Sequence, residues 1–451
     1  MDALMLSRIQ FAANITFHIL FPTFTISLAW FLLFFKLKYN STNDQRWLDA
    51  YKFWVKIFAL SFALGVVSGI TMSFQFGTNW PGFMEKVGNV AGPLLGYEVL
   101  TAFFMEATFL GIMLFGTNRV SNWLHNLSIV LVALGTMLSA FWILALNSWM
   151  HTPAGYEIIE GVVHPKNWFE IVFNPSMLAR FTHMILASFV TSSFLVAGIC
   201  AYKYLKGDRS DMISLKFSMY VAAILVPVHI FSGDILGLNL LDHRPQVVAA
   251  IEGIWETESS VPFLLFAIPD EKERKNHFEV KLPKMGSLLL THSWDGEIKG
   301  LNEFEGEHPP VMMIFYLFRV MVGIGFLMLA VSWFASYKLW RENKITNKFF
   351  NIILVAMTFS GSIATISGWY VTEVGRQPYL VNGILRTKDA VTQAVGGGAV
   401  FSTLVGYLVV YVLLIALYIS TIFYMAKRRA LESIAKYGRD GNSNTGKRNQ
   451  G

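Results

Sequence analysis

A small set of ionisable and sulfur-containing residues lies inside long apolar stretches, where these side chains could carry protons or bind a metal. A charge at the centre of a membrane helix costs at least about 2.5–3.5 kcal/mol, so each ionisable residue there is a candidate for function. Cys200 is the single cysteine, which excludes disulfides within the chain, Cys-ligated clusters and a CxxCH haem attachment. The candidates are His18, Glu98, Glu106, His183, Arg319, Met321 and Glu373.

Glu98 and Glu106 lie eight residues apart in one apolar stretch. On a regular α-helix this spacing separates the two residues by about 12 Å along the axis and about 80° around it. The geometry suits a proton relay better than a metal clamp, because protonatable carboxylates carry protons through membrane helices. The alternative is that either carboxylate lines a polar interface with another subunit.

The composition favours a lipid environment. The chain of 451 residues is 54% hydrophobic and 15% charged, with a mean hydropathy of +0.47. This is too little polar material to cover a soluble globule of this size. The net charge is +6, but the basic residues form short clusters between apolar runs, which indicates membrane orientation rather than nucleic-acid binding.

Nine apolar runs have about the 20 residues that span a bilayer, so we expect an all-α integral membrane protein with nine transmembrane helices. The runs cover residues 9–35, 57–76, 93–117, 124–146, 178–202, 217–235, 311–337, 350–371 and 401–426. Residues 1–232 should hold helices 1 to 6 and residues 311–430 helices 7 to 9. Residues 233–310 should form an external loop, whose length points to function, and residues 431–451 a disordered cytoplasmic tail.

Lysine and arginine in the short connections predict the orientation of the chain, because cytoplasmic loops carry an excess of both. The basic clusters fall in alternate connections, at residues 36–52, 119, 203–209, 338–344 and 427–429. The N-terminus should therefore be external, or periplasmic, and the C-terminus cytoplasmic. In this topology His18, His183, Met321 and Glu373 all lie in the external half of the bilayer.

These four residues are potential iron ligands on four different helices, as in a haem site inside a helix bundle. Each has an ordinary interpretation when taken alone. A histidine in a helix is commonly a hydrogen-bonded interior residue, and a single methionine such as Met321 commonly only packs against its apolar neighbours. Glu373 could be a surface carboxylate paired with Arg376, three residues later.

The segments around these residues resemble subunit I of the cytochrome bd family of bacterial quinol oxidases, and the likeness runs through all nine spans. The matching segments are SRIQFA at 7–12 with His18, FGTNW at 76–80, residues 98–108, LSAFWIL at 138–144, NP at 174–175, FTH at 181–183, FRVMVG at 318–323 and GWYVTEVGRQP at 368–378.

The resemblance implies three haems, two of b type and a third of d type or b type. His183 and Met321 match the two axial ligands of the low-spin b haem, which should only relay electrons because it has no open site. His18 and Glu373 match the axial ligands of the two high-spin haems, where oxygen binds. Which of the two holds which haem stays open, because members of the family differ.

Further positions take their expected roles from the same resemblance. Trp369 precedes Glu373 by four residues and shares its helix face, which fits an aromatic contact between haems. Arg8, Arg319 and Arg376 match positions suited to haem propionates.

The expected proton path also comes from the resemblance. Glu98 and Glu106 match its carboxylates, with Ser139 and Asn147 as polar neighbours. Ala107 stands where the family commonly has a hydroxyl residue, so this step should depend on Thr108 or on water.

Within the external loop, Glu252 matches the carboxylate of the family's quinol site. The lysine often found five residues earlier is Val247 here. Its charge could come from Arg244 or His243, or be absent. The loop resembles the shorter of the family's two loop forms.

The implied enzyme oxidises ubiquinol or menaquinol at the external face and reduces O2 to water with protons from the cytoplasm. The implied partner is a second large membrane subunit, subunit II, and one or more small single-helix subunits are a further option. The implied location is the bacterial cytoplasmic (inner) membrane, which the chain crosses several times. Two other classes remain: a proton-coupled transporter that uses the buried carboxylates, and a non-catalytic haem-binding assembly subunit.

Overall fold

The computed structural model describes residues 2–208 and 211–437. Within this part of the chain nine helices are long and apolar enough to cross a membrane, which confirms the expected helical class. Arg209, one of the basic residues from which the orientation was predicted, and residues 438–451 of the expected tail lie outside the described residues. The nine helices are α1 Ala3–Thr42, α2 Gln45–Thr78, α3 Pro81–Phe115, α4 Asn122–His151, α5 Met177–Leu205, α6 Met212–His243, α7 Val311–Glu342, α8 Lys348–Gly375 and α9 Gly397–Tyr437.

Short elements fill the longer connections. Between α4 and α5 lie β1 Tyr156–Ile159, β2 Val162–Pro165 and the helix Trp168–Val172. Between α6 and α7 lie the helix Pro245–Glu252, β3 Glu258–Ser259, β4 Phe263–Asp270, β5 Lys275–Leu282, the helix Met285–Thr291, β6 Glu297–Ile298 and the 3₁₀ turn Leu301–Phe304. Between α8 and α9 lie β7 Tyr379–Val381, β8 Leu385–Arg386 and the helix Thr387–Ala390. The antiparallel pairs are β1–β2, β3–β6, β4–β5 and β7–β8.

Two helices run past the expected boundaries. α6 continues to His243, beyond the expected loop start at 233, and ends where Pro245 disfavours helical geometry at Arg244. α9 continues through Tyr437, into the segment expected to be a disordered tail. Residues 427–435 are largely good helix formers although five of the nine are polar, so the helix outlasts the apolar run from which the boundary was inferred.

Two helices are irregular. In α3 a π-helical segment, Glu98–Phe103, separates the α-helical parts Pro81–Tyr97 and Phe104–Phe115. In α8 the helix is interrupted between Ala356 and Ser360. Single π turns inside α-helices occur frequently at functional sites.

α1 and α5 form the centre of the bundle, since they are the most buried of the nine helices. Small hydroxyl residues join them. Ser27 Oγ donates to Ser192 Oγ at 2.6 Å, and Ser188 Oγ donates to the Thr23 carbonyl at 2.5 Å. Small side chains allow close approach of membrane helices, and their hydrogen bonds hold the contact. α3, α6 and α9 lie at the periphery.

Candidate functional site

A cavity of about 850 Å³ lies among α1, α2, α3, α4 and α8, near the upper end of the range of about 300–1,000 Å³ for ligand pockets. It gathers most of the residues that the sequence singled out. Those that line it are Arg8, His18, Glu98, Glu106, Ser139, Asn147, Trp369, Glu373 and Arg376. His183, Met321, Arg319 and Glu252 lie elsewhere.

His18 lines this cavity. Its Nδ1 lies 2.9 Å from Ser68 Oγ, and that hydroxyl donates to the Leu64 carbonyl at 2.7 Å. Ser68 therefore accepts from Nδ1–H, which leaves the lone pair on Nε2, the form in which histidine binds metals. The ring also lies against the backbone of α2, where a Cβ at Gly69 would be 3.3 Å from Cε1 of His18.

Glu373 lies in a polar cluster at the end of α8. Asn147 Nδ2 donates to its Oε1 at 2.8 Å, and Arg376 forms an ion pair with its Oε2. His151 Nε2 lies 3.8 Å from Oε1. The sequence analysis offered the alternative that Glu373 is a surface carboxylate paired with Arg376. The pairing is present, but the side chain of Glu373 is only 17% exposed, so it is not a surface carboxylate. Asn147, expected beside the proton-path carboxylates, contacts Glu373.

The sequence reasoning did not assign three further members of this cluster to it: His151, Arg180 and Arg244, all buried. Arg244 donates to His151 Nδ1 at 3.3 Å and to the Gly375 carbonyl at 3.2 Å. The Nε atoms of Arg180, Arg244 and Arg376 are buried without a hydrogen-bond partner. One signal in the sequence could have pointed to this cluster: Arg180 is a charged residue that precedes His183 by three positions and so lies on the same helix face.

The cluster therefore carries more buried positive charge than Glu373 can balance. Three guanidinium groups face one carboxylate, and buried unpaired donors are costly unless an anion meets them. Carboxylates of a bound group would satisfy these donors bidentately. The donor set thus fits a haem, whose propionates are anionic, next to the proposed ligands His18 and Glu373.

His183 on α5 and Met321 on α7 lie apart from this cavity. Each contacts a glycine of a neighbouring helix: a Cβ at Gly233 of α6 would be 3.4 Å from Cε1 of His183, and one at Gly368 of α8 would be 2.6 Å from Sδ of Met321. α6 and α8 both pack against α5 and α7, so the two residues share neighbours. The Nδ1 atom of His183 is buried and has no hydrogen-bond partner.

The π-helical segment changes the relation between Glu98 and Glu106 that was expected from a regular helix. One extra residue in the turn delays the helix by about 100°, so the expected 80° falls to about 20°. The expected angle was wrong because it assumed regular α geometry. Both carboxylates consequently face the same cavity.

The surroundings of the two carboxylates differ. Ser139 Oγ donates to Glu98 Oε1 at 2.7 Å. Glu106 is only 6% exposed, and its Oε1 has no hydrogen-bond partner. Thr108 is exposed and its hydroxyl donates back to the Phe104 carbonyl at 2.6 Å, so it does not continue a path from Glu106.

Glu252 and Arg319 form a buried ion pair at 3.2 Å beneath the segment between α6 and α7. Arg319 also donates to three carbonyl groups, those of Ile251, Leu264 and Phe315. Burial raises the pKa of Glu252 above its usual range, although Arg319 opposes this effect. Arg319 is thus committed to this segment and lies outside the cavity where a propionate role was expected.

The cation beside Glu252 is Arg319, and neither Arg244 nor His243 supplies it. Val247 is buried in an apolar cluster with Ile251, Ile314 and Val371. Arg244 points to the Glu373 cluster.

Fold and site together define a multi-pass membrane protein with a cavity of ionisable residues and with His, Met and Glu donors suited to haem iron. The family model of cytochrome bd terminal oxidase subunit I matches residues 6–430, so the chain belongs to this family. It is a subunit of a membrane-bound respiratory oxidoreductase, a quinol oxidase, as the sequence predicted.

Similar proteins agree with this membership. The chain is 35% identical to cytochrome bd ubiquinol oxidase subunit 1 of Bacillus subtilis over 433 residues, which cover 92% of each chain. It is 30% identical to cytochrome bd-II ubiquinol oxidase subunit 1 of Escherichia coli in an alignment of 508 positions, which covers 97% of each chain. The solved bd oxidase from Geobacillus thermodenitrificans superposes with a TM-score of 0.88 at 30% identity, over 95% of this chain and 99% of that one.

Proposed function

We propose that this chain is the haem-containing catalytic subunit that oxidises quinol at the external face and reduces O2 to water with protons from the cytoplasm. The observation that carries the proposal is the shared cavity. It places two would-be haem ligands, His18 and Glu373, against the two carboxylates Glu98 and Glu106. A proton donor and the oxygen-reducing site must adjoin in such an enzyme, because reduction of O2 to water consumes protons.

His183 and Met321 would hold a low-spin b haem, and His18 and Glu373 would hold two high-spin haems, one of b type and one of d type or b type. When bound, these haems supply electron transfer and oxygen reduction. Trp369 lines the cavity four residues before Glu373. It would provide the aromatic contact between the high-spin groups.

The arginines would hold and orient the propionates. Arg376 and the two residues that the structure adds, Arg180 and Arg244, direct buried unpaired nitrogens into the Glu373 cluster. Arg8 lines the cavity near the end of α1. Arg319, matched to a propionate position in the sequence, is better explained as the partner of Glu252, because three of its hydrogen bonds, to Ile251, Glu252 and Leu264, go to the segment between α6 and α7.

Glu106 and Glu98 pass protons to the cavity. Both face it, and Ser139 fixes Glu98 through a 2.7 Å hydrogen bond. Glu106 retains an unpartnered oxygen that can take up or release a proton. With the N-terminus external, protons enter α3 from its cytoplasmic end and reach Glu106 before Glu98.

Glu252 accepts a proton from the quinol at the segment between α6 and α7. Each quinol releases two electrons and two protons, and two quinols supply the four electrons that reduce one O2 to two water molecules. The quinol protons leave outside while four protons arrive from the cytoplasm, so turnover separates charge without a pump. The donor is ubiquinol or menaquinol.

The chain works with subunit II, and one or more small single-helix subunits are further candidate partners, in the bacterial cytoplasmic membrane. Support comes from the periphery of the bundle. In each of α3 and α9 only 17% of an apolar stretch of 18 residues is buried. Apolar residues such as Phe104, Val412 and Leu417 are exposed. Lipid or another membrane subunit must cover such faces.

Oxygen consumption by the purified oxidase complex with a reduced quinol tests the proposal. We expect quinol-dependent consumption that is lost in His18→Ala. Haem without oxygen consumption would indicate the non-catalytic assembly subunit instead. A proton-coupled transporter accounts for Glu98 and Glu106 but not for His18, Met321 and the arginine cluster, and it would carry no haem.

A further inference from the structure

The hairpin formed by β4 and β5 has a charged end and an apolar end. Its turn, at residues 270–275, reads DEKERK, so every residue there is charged. At the open end β4 begins with the apolar run FLLF at residues 263–266. Apolar side chains are exposed at this end, by 42–54%, and we call them the hairpin patch: Leu265, Phe266, Val280 and Leu282. Contiguous exposed apolar residues mark a surface that contacts another apolar phase or a partner.

An irregularity in β4 produces this patch. The register between the two strands shifts between Leu264 and Phe266, and again before Ile268. Leu264 and Ala267 are buried against Phe315 of α7. The two residues between them, 265 and 266, are therefore both turned outwards, which a regular strand with alternating side chains would not allow.

Three hydrogen bonds fix the direction of β4 along α7. They join the Val311 N–H to Glu271 Oε1, the Tyr316 hydroxyl to the Ala267 carbonyl and Arg319 Nε to the Leu264 carbonyl, each at 2.8 Å. Going back along β4 from its turn, the partners lie progressively further into α7, over about 12 Å of helix. The charged turn is thus at the start of α7, and the apolar end is about two helical turns further in.

α7 also gives the level of the hairpin relative to the bilayer. After Arg319, the next charged residue along α7 is Lys338. About 20 residues of helix cross the hydrocarbon, so counting back from Lys338 places the nearer boundary at about Phe318. Tyr316 and Arg319, which hold the apolar end of the hairpin, lie on either side of this level. Tyrosine is enriched at this interface between hydrocarbon and water.

The hairpin patch continues an exposed apolar face of α7. Met313, Tyr316 and Val320 are three and four positions apart and so share one face of the helix. Met313 and Val320 are 41% and 43% exposed. The ring of Tyr316, between them, has its centroid 6.3 Å from that of Phe266. The patch and this face of α7 therefore form one apolar surface at the membrane boundary.

We propose that the β4–β5 hairpin is a membrane-docking element, whose patch inserts into the lipid interface beside α7. The order from charged turn to apolar end matches the order of the bilayer from water to hydrocarbon. Contact with another subunit would not require that order. Arg319 both holds Leu264 and pairs with Glu252, so the inserted end adjoins the Glu252–Arg319 pair. A quinol dissolved in the bilayer would reach Glu252 from the lipid side, a step that rests on the proposed function.

The collision accessibility of nitroxide spin labels tests the docking without turnover. The purified oxidase complex is reconstituted in vesicles of phosphatidylethanolamine and phosphatidylglycerol, with a label at Phe266→Cys or Val280→Cys. Electron paramagnetic resonance measures relaxation by O2, which concentrates in lipid, and by a water-soluble nickel chelate. We expect both labels to respond more to O2, like a label at Leu327→Cys on an exposed part of α7. Lys272→Cys in the charged turn is the matched control and should respond more to nickel.

Two results overturn the proposal. Labels at both patch positions that respond mainly to nickel would place the patch in water. Labels that respond to neither reagent would show that a protein partner covers it. If Phe266→Cys does not assemble, Leu265→Cys takes its place beside Val280→Cys.

The delivery of quinol has a separate readout. Phe266→Ser should raise KM for a long-tailed quinol dissolved in the vesicles and leave KM for a short-tailed, water-soluble quinol unchanged. An equal change in both KM values overturns delivery from the lipid side. Lipid-like labels in a complex that oxidises no quinol would contradict the proposed function and support the docking, so the two failures are distinguishable.

Discussion

Gly135 of α4 controls where Glu106 lies, and adding one methyl group there should slow turnover. A Cβ built at Gly135 would be 2.5 Å from Cγ of Glu106, whereas ordinary van der Waals contact begins at 3.4 Å. Gly135→Ala must therefore displace the carboxylate or α4 by about 0.9 Å. A misplacement of about 1 Å can cost about a hundredfold in rate, and overpacking costs about 1–3 kcal/mol of stability.

The assay is quinol-driven oxygen consumption, measured together with haem content. We expect Gly135→Ala to lower turnover by about ten- to a hundredfold with haem content retained. Gly111→Ala on α3 is the matched control, because a Cβ there meets nothing within 4 Å. In a Glu106→Gln background, already slow, Gly135→Ala should add little, since both changes act on one carboxylate. Equal turnover of Gly135→Ala and Gly111→Ala would refute the reasoning.

Three further outcomes are expected. Met321→Leu keeps the side-chain volume but removes the sulfur, so the low-spin absorption band should shift or vanish while the protein still assembles; an unchanged spectrum contradicts the ligand assignment. Ser139→Ala removes the hydrogen bond to Glu98 and should slow oxygen consumption, whereas Thr108→Val should not, because that hydroxyl bonds only to its own helix; equal rates in the two variants contradict this path. Glu252 accepts a proton only when ionised, so kcat/KM for quinol should fall as pH falls through its raised pKa; a Glu252→Gln variant should lose this acidic limb, and its persistence would assign the limb to another group.

Much of the architecture follows from hydropathy, because spanning a bilayer requires long apolar helices. The nine apolar runs correspond to nine helices in the described residues. Helix ends were less predictable. Hydropathy reports where the lipid ends, while α6 ends at a proline and α9 continues through charged residues that favour helix.

The cavity was predictable in part. His18, Glu98, Glu106 and Glu373 stand out because ionisable groups are rare in apolar runs, and they do meet around one cavity. The π turn between the two glutamates has no signature in the spacing, so their relative angle was not predictable. The partner of Glu252 depends on side-chain directions across two helices, which only the folded structure provides.

The contact between the rings of His183 on α5 and His229 on α6, whose centroids are 4.3 Å apart, shows a different limit of prediction from sequence. His229 was not among the candidates. It is an ionisable residue in an apolar run and carried the same signal as His183, but nothing in the spacing relates residues 46 positions apart on two helices. The pairing follows from the packing of α5 on α6.

The most direct test of the central claim is the reduced-minus-oxidised absorption spectrum of the purified protein, combined with extraction and chromatographic typing of its haems. The account predicts one low-spin b haem and two high-spin haems, with the low-spin band sensitive to His183 and Met321. A preparation without haem bands would contradict the account and leave the buried carboxylates to proton-coupled transport.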